Sequence, residues 1–322
     1  MEDLFKGLGP CHLCPRSCGV QRGPHGGTGW CGMGSRAVVA RAARHDWEEP
    51  CISGTRGTGT VFFSGCTLKC CYCQNWEISH EGRGEELSPR ALADLLKRLE
   101  DQGVHSISLV TATHFLPAIL DAFELYRPSL PIVYNTGGYE RVEVIERLSD
   151  LVDVWLPDIK LVSPRLSRLL LHCPDYFAFA APAVKAMCRV SGPAQYDTQG
   201  LMRKGTLLRH LVIPGCVTDT LKVLRFAAEE LPPGTPMSLM RQYTPIPQCT
   251  LPGLDRKLRA DEYARALEAF HALELTGYAQ EAGSSDPAYT PPFDGTGVAG
   301  DAAQPVDSPA GLLYNAVKGG YI

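Results

Sequence analysis

The sequence predicts an α/β chain of repeated strand–helix units. It either closes as an open (β/α)6 partial TIM barrel or lies flat as a flavodoxin-like sheet. Three observations lead there. Short apolar runs alternate with amphipathic stretches from about residue 58 to 282. Repetition of that βα unit requires parallel strands joined by right-handed crossovers. Polar residues collect just after the apolar runs, at the C-terminal strand ends where both folds bind ligands. Periodicity alone does not separate the two folds.

The predicted strands are 60–64, 106–111, 132–135, 152–159, 207–213 and 237–243. Between the first two, Ser88 and Pro89 read as an N-cap and first helical residue. Leu92, Leu95, Leu96 and Leu99 then share one face, and Gly103 can stop the helix. Leu116, Ile119, Leu120 and Phe123 form the next stripe, ended near Pro128, and Val142, Ile145 and Leu148 a third. Residues 164–191 hold one or two helices, broken near Pro174. Leu221, Leu224 and Ala228 follow Thr218, and Asp261 is expected to cap a last helix bearing Tyr263, Leu267 and Phe270.

Two flanking regions differ. Residues 1–57 are weakly periodic and rich in Cys, Gly and Arg, and read as a metal-stapled or loop-rich extension. Residues 283–322 are rich in small residues and proline and read as a surface tail. The division expected is 1–57, 58–282 and 283–322. With 44% hydrophobic residues in 322, the chain can bury a sizeable core. A net charge of −4 without a long basic run argues against a large nucleic-acid surface. No run of apolar residues reaches membrane-spanning length, and the first residues do not read as a signal peptide. Thirteen cysteines, an odd number in clustered spacing, fit metal binding in a reducing, cytoplasmic setting better than disulfides.

Cys66, Cys70 and Cys73 stand at C-x3-C-x2-C directly after the first predicted strand. Three such thiolates can hold three irons of a [4Fe–4S] cluster and leave the fourth iron open, whereas ferredoxin-type clusters use four cysteines. The spacing alone also admits a partial zinc knuckle or unconnected core thiols. A polar set follows at the strand ends: Thr111, Thr113 and His114; Asn135, Thr136, Gly137 and Gly138; Asp158 and Lys160; Arg209 and His210; Arg241, Gln242 and Tyr243. Read without a ligand, the same residues make strand-end charge pairs, βα turns and hydrogen-bonded structural histidines.

Residues 65–75, with an aromatic Tyr72 before the third cysteine, resemble the radical S-adenosylmethionine (SAM) superfamily. The resemblance implies the partial-barrel fold and a [4Fe–4S] cluster whose open iron binds SAM. It further implies reductive cleavage of SAM to methionine and a 5′-deoxyadenosyl radical. Over residues 58–245 the chain resembles the pyruvate formate-lyase-activating enzyme branch and its Fe–S homologues. The matching motifs are Gln74-Asn75, Asn135-Thr136-Gly137-Gly138-Tyr139, Asp158-Ile159-Lys160 and the run from Arg209 to Gly215. Carried over residue by residue, Tyr72, Asn75, Thr111, Thr113, His114, Asn135, Thr136, Gly137, Asp158, Lys160 and Arg209 would surround SAM or substrate. Two departures stand out: Thr111-Ala112-Thr113-His114 replaces Gly-Gly-Glu, and Asn135 replaces an acid. Glu48-Glu49-Pro50-Cys51-Ile52-Ser53-Gly54 and the segment from Asp286 to Phe293 resemble an Fe–S branch of activase homologues.

Cys11-x2-Cys14-x3-Cys18 with Cys31 supplies four further thiolates among several glycines, a set that suits zinc or a second Fe–S cluster. Cys51 reads as a spare ligand or a packing cysteine, Cys71 as a neighbour of the cluster and not a ligand, and Cys173, Cys188, Cys216 and Cys249 as scattered core or surface thiols.

The leading expectation is an enzyme, an oxidoreductase of the activating-enzyme type. It would be served by a one-electron donor of flavodoxin or ferredoxin type and act on a substrate hydrogen, on a glycine of a partner protein if the activase resemblance extends that far. The alternative is a non-catalytic Fe–S electron carrier or metal-stapled scaffold, and radical SAM modification of RNA is a third reading.

Overall fold

A computed structural model describes residues 10–281, 283–284 and 290–299, and the backbone of 314–317. The segment from Asp286 to Tyr289, part of the motif noted above, lies outside the described residues.

Among the described residues the strands run in order: β1 Ala37–His45, β2 Thr58–Phe63, β3 Glu85–Leu87, β4 Ile107–Val110, β5 Ile132–Thr136, β6 Val154–Pro157, β7 Gln195–Tyr196, β8 Met202–Thr206, β9 Leu208–Leu211, β10 Met237–Met240, β11 Gly277–Gln280 and β12 Tyr314–Val317. β2, β4, β5, β6 and β8 pair in parallel, and β9, β10 and β11 do likewise. Only Leu207 separates β8 from β9, and a parallel bridge between Asp158 and Arg209 joins the two sheets. β8 and β9 therefore act as one bent strand that turns the wall from β6 to β10. Neighbouring parallel strands follow chain order throughout, as in a singly wound partial barrel. A doubly wound flavodoxin-like sheet would reverse its order at a switch point. All six predicted strands are present, and β11 extends the wall by one more.

Strand alternation sets the two sides of the wall. Val61, Phe63, Leu109, Tyr134 and Trp155 pack in one core, while Phe62 and Val110, and Val133, Val154 and Leu156, fall in two others. Helix Pro89–Asp101 starts as predicted: the Ser88 hydroxyl accepts from Ala91 N at 3.2 Å, and Leu92, Leu95, Leu96 and Leu99 are buried. Residues 164–191 form two helices, Pro164–Leu171 and Tyr176–Ser191. The last helix, Ala260–Ala272, is capped at Arg259 rather than Asp261, because the Glu262 carboxylate reaches back to Arg259 N at 3.0 Å.

The N-terminal region is more regular than its composition predicts. β1 is built from Ala and Val and pairs antiparallel with both β2 and β3. From His45 the chain passes across the N-terminal ends of the barrel strands. There Cys51 and Ile52 pack with Val133, Val154, Leu156, Met202, Leu207 and Tyr278, closing the floor. The described part of the tail is likewise engaged. Gly295 N donates to Ala40 O, Ala42 N donates to Thr296 O, and Phe293 stacks edge-on to Phe62 at 5.5 Å. Among the described residues no helix is long and apolar enough to cross a membrane.

Candidate functional site

A cavity of about 240 Å³ opens inside the barrel. Cys66, Cys70 and Cys73 line it, with Tyr72 and Asn75 of the same loop. Thr111, Asn135, Gly137, Asp158, Lys160 and Arg209 line it from the strands and their ends. Eleven residues from the two predicted sets thus share one cavity wall. A larger cavity of about 450 Å³ at the other end of the molecule has no Asp, Glu, Lys, Arg or His in its lining and carries no comparable chemistry.

The cysteine loop leaves β2 at Gly65 and is held by its own polar groups. Leu68 N donates to Cys66 Sγ at 3.4 Å, and Ser79 Oγ donates to Cys73 Sγ at 3.4 Å. Burial pushes the Cys70 and Cys73 thiols up; the ammonium of Lys160 acts against that shift at both. Buried thiols that resist ionisation on their own become good ligands when a metal takes the place of the proton. Three thiols facing one cavity beside a cation fit an iron–sulfur cluster. Cys71 does not line the cavity; its sulfur lies 3.8 Å from that of Cys249. Cys249, expected to be an isolated thiol, is therefore paired behind the loop.

The opposite wall is a network of charges. Lys160 Nζ donates to Asp158 Oδ2 at 2.6 Å. Burial disfavours the Lys160 charge, yet Asp158 and the Cys70 sulfur raise its pKa overall. Arg209 NH1 donates to Glu48 Oε2 at 2.9 Å, and its Nε stands 3.5 Å from Glu49 and 3.6 Å from Asp158. Asn135 Nδ2 donates to the other Glu48 oxygen at 3.0 Å. Burial and the neighbouring Glu48 push the Glu49 carboxyl up, against the pull of Arg209. Glu48 and Glu49 come from the floor segment, so the N-terminal region contributes directly to this wall.

Tyr176 organises the turns above that wall. Its hydroxyl accepts from Lys160 N at 2.9 Å and lies 2.9 Å from the carbonyls of both Gly137 and Asp158. Gly138, at φ +79°, lets the turn pass against Asp158: a Cβ there would lie 2.2 Å from the Asp158 carbonyl oxygen. Thr111 is a β-branched residue at φ +60°, a conformation that costs about 1–2 kcal/mol outside glycine. Such strain persists where surrounding structure imposes it, and here it lies on the cavity wall.

Three predicted site residues face elsewhere. Thr113 and Thr136 both donate to Glu140 Oε1, the former at 2.6 Å, and neither lines the cavity. His114 is buried, and its Nε2 donates to the Ser64 carbonyl at 2.7 Å. Burial outweighs that hydrogen bond and lowers its pKa to about 4, so His114 is a neutral structural histidine. His210 is one as well, bonded to Ile159 O and Thr220 Oγ1. The lining also holds Gln242 of the strand-end polar set, and residues given no site role from sequence: His45, Trp47 and Glu48 from the floor and Thr290 from the tail. Gln242 is fixed by Gln280 Nε2 at 2.7 Å and by the Gln74 side chain on its carbonyl at 2.9 Å. The motif Glu48-Glu49-Pro50 was the available signal for the floor acids.

Residues 60–178 match the model of the Radical SAM superfamily, which supports membership of that superfamily. The chain is 26% identical over 287 residues to the uncharacterized protein MJ0674 of Methanocaldococcus jannaschii, covering 85% of this chain and 77% of that protein. Among solved structures it is similar to SuiB of Streptococcus suis bound to S-adenosylmethionine, at 15% identity and TM-score 0.43, over 63% of this chain and 44% of SuiB. It is also similar to the FeFe-hydrogenase maturase HydG of Carboxydothermus hydrogenoformans, at 16% identity and TM-score 0.43, over 65% of this chain and 49% of HydG. The chain thus spans about half the length of these structures.

Proposed function

We propose that this chain is a radical SAM enzyme in which Cys66, Cys70 and Cys73 hold three irons of a [4Fe–4S] cluster and SAM completes the fourth. The observation that carries this reading is the sharing of one cavity by the three thiols and the Asp158–Lys160–Arg209 wall. With cluster and SAM bound, the site would supply a 5′-deoxyadenosyl radical that takes a hydrogen atom from the substrate. The protein's part is to bind, orient and exclude water. Lys160 offers a fixed ammonium to an anionic group such as the SAM carboxylate, and Asp158 keeps it charged. Asn135 and Arg209 are oriented by Glu48. Phe62, Val110, Leu211 and Met240 give the apolar wall that keeps a reactive radical from solvent.

For the substrate we extend the activase reading: the hydrogen lost is on a glycine α-carbon of a partner protein. A one-electron donor of flavodoxin or ferredoxin type completes the cycle. A reducing, cytoplasmic setting belongs to this reading, because an odd number of clustered cysteines suits metal binding better than disulfides. In this reading residues 58–282 form the catalytic barrel, 1–57 a metal-binding extension that also floors it, and 283–322 a tail.

The test is anaerobic reconstitution, reduction with dithionite, and chromatography for 5′-deoxyadenosine after SAM is added, with the Cys66, Cys70, Cys73→Ala triple variant as control. Product from the wild type alone supports the reading. Absence of SAM binding by a fully reconstituted wild type would sink it and favour an electron carrier. Transfer of deuterium from a glycine-labelled partner into 5′-deoxyadenosine would identify the substrate class.

A further inference from the structure

The four N-terminal cysteines converge on a second site. Cys11, Cys14 and Cys18 share one hairpin, closed by Cys11 N donating to Val20 O at 2.9 Å and Gly19 N donating to Cys11 O at 3.0 Å. The turn carrying Cys31 packs against it at Gly29, where a Cβ would lie 3.1 Å from Cys18 Sγ. Electrostatically, Cys14 has Cys11 and Cys31 as neighbours, and Cys31 has Cys11 and Cys18, so the four thiols form one connected group.

Four cysteines is the full complement of a [4Fe–4S] cluster. A four-thiolate zinc site is the other occupant, and iron and zinc contents separate the two.

The group is docked on the radical SAM loop. Arg16 Nε donates to Thr67 O at 3.0 Å, and its NH1 to His172 O at 2.8 Å. The Cys31 carbonyl oxygen lies 2.9 Å from the Cβ position of Gly65, the residue before Cys66. The group reaches solvent at Cys18 and at Trp30, over whose ring Arg16 stacks at 4.2 Å.

We propose that Cys11, Cys14, Cys18 and Cys31 hold a fully ligated [4Fe–4S] cluster that admits electrons to the Cys66–Cys70–Cys73 site. One electron leaves a low-potential protein carrier, reduces the N-terminal cluster, and passes to the inner site, leaving the carrier oxidised by one electron. The relay role rests on the radical SAM reading above, whereas occupancy by a cluster does not.

The test uses the full chain. Elemental analysis of the anaerobically reconstituted wild type should give about eight irons per chain and no zinc, and the Cys66, Cys70, Cys73→Ala variant should keep about four. After reduction that variant should show a paramagnetic cluster signal that SAM does not alter. Zinc in the wild type, or an iron-free triple variant that still melts cooperatively, would overturn the assignment. A second variant, Cys18, Cys31→Ala, keeps the relay falsifiable should the first not fold. Its 5′-deoxyadenosine formation should fall at least ~10-fold with a protein donor but hold with dithionite. Equal loss with both donors would overturn the relay. A SAM-insensitive inner cluster in this second variant would count against the radical SAM reading and leave the N-terminal cluster standing.

Discussion

Glu48 and Arg209, 161 residues apart in the chain, pair at 2.9 Å across the floor of the barrel cavity. The pair is buried, and Glu49 and Asp158 flank the same guanidinium. Removing one partner of such a pair strands the other's charge. Glu48→Ala should therefore destabilise the protein by about 3–5 kcal/mol. Glu48→Gln, which can still accept from Asn135, should cost less. Thermal unfolding of both variants checks the order, and equal losses would show that Glu48 acts through its charge, with nothing added by the hydrogen bond from Asn135.

Lys160 should matter for ligand more than for fold. A charge-assisted hydrogen bond contributes about 1.5–3 kcal/mol, so Lys160→Met should weaken SAM binding by about 10–100-fold. Calorimetric titration of the reconstituted protein measures this. An unchanged affinity would remove Lys160 from the SAM site.

Thr111 separates strain from function. Thr111→Gly relieves a left-handed β-branched backbone and should raise stability by about 1 kcal/mol. If the strain serves to present the residue to the cavity, SAM affinity should fall in the same variant. A rise in both would mean that the strain has no role in binding.

Glu140 predicts a pH signature. Its carboxyl is fully buried among Thr113, Thr136 and Tyr134, and burial raises its pKa from 4.5 to about 7, against the two threonine hydrogen bonds. A carboxyl whose folded pKa is raised holds its proton more tightly when folded. Its contribution to stability is intact below pH 4.5 and is lost as pH climbs to about 7. Glu140→Gln should remove that loss, gaining up to about 3 kcal/mol over wild type at pH 8 and little at pH 4. His45 and His114, lowered to about 4 by burial, act in the opposite sense, favouring the folded state as pH rises from about 4 to 6.5. They are common to both proteins, so the wild-type minus variant difference isolates Glu140. A difference in melting temperature that does not change with pH would refute the assignment.

How much of this was legible before the fold was known follows from what each signal encodes. The βα alternation gave the six strands because side-chain period and turn residues are local properties. The cysteine spacing gave the loop for the same reason. The sides of the wall were only half legible: Asn135 and Thr136 are adjacent in β5 and point to opposite sides, but which of them faces the cavity is set by the packing of Tyr134 and Trp155 behind the sheet. The pairing across the floor was not legible, although the Glu48-Glu49-Pro50 motif marked its acids. Nothing near Glu48 in sequence announces that Arg209 will neutralise it, because burial of a charge is decided by distant partners. β1 was missed because its alanines and its buried Arg41 give no clear period.

The order of synthesis gives the floor segment a further consequence. Its two acids precede their cation by most of the barrel, so neither can be buried until β9 has arrived. A chain lacking the later strands is left with both carboxylates in water and with Cys51 and Ile52 uncovered. Closing the floor is a long-range step whose loop-closure cost comes before any of its contacts form. Half-made barrels should thus stay open at the bottom, and the wall and the floor should complete in one cooperative event late in folding.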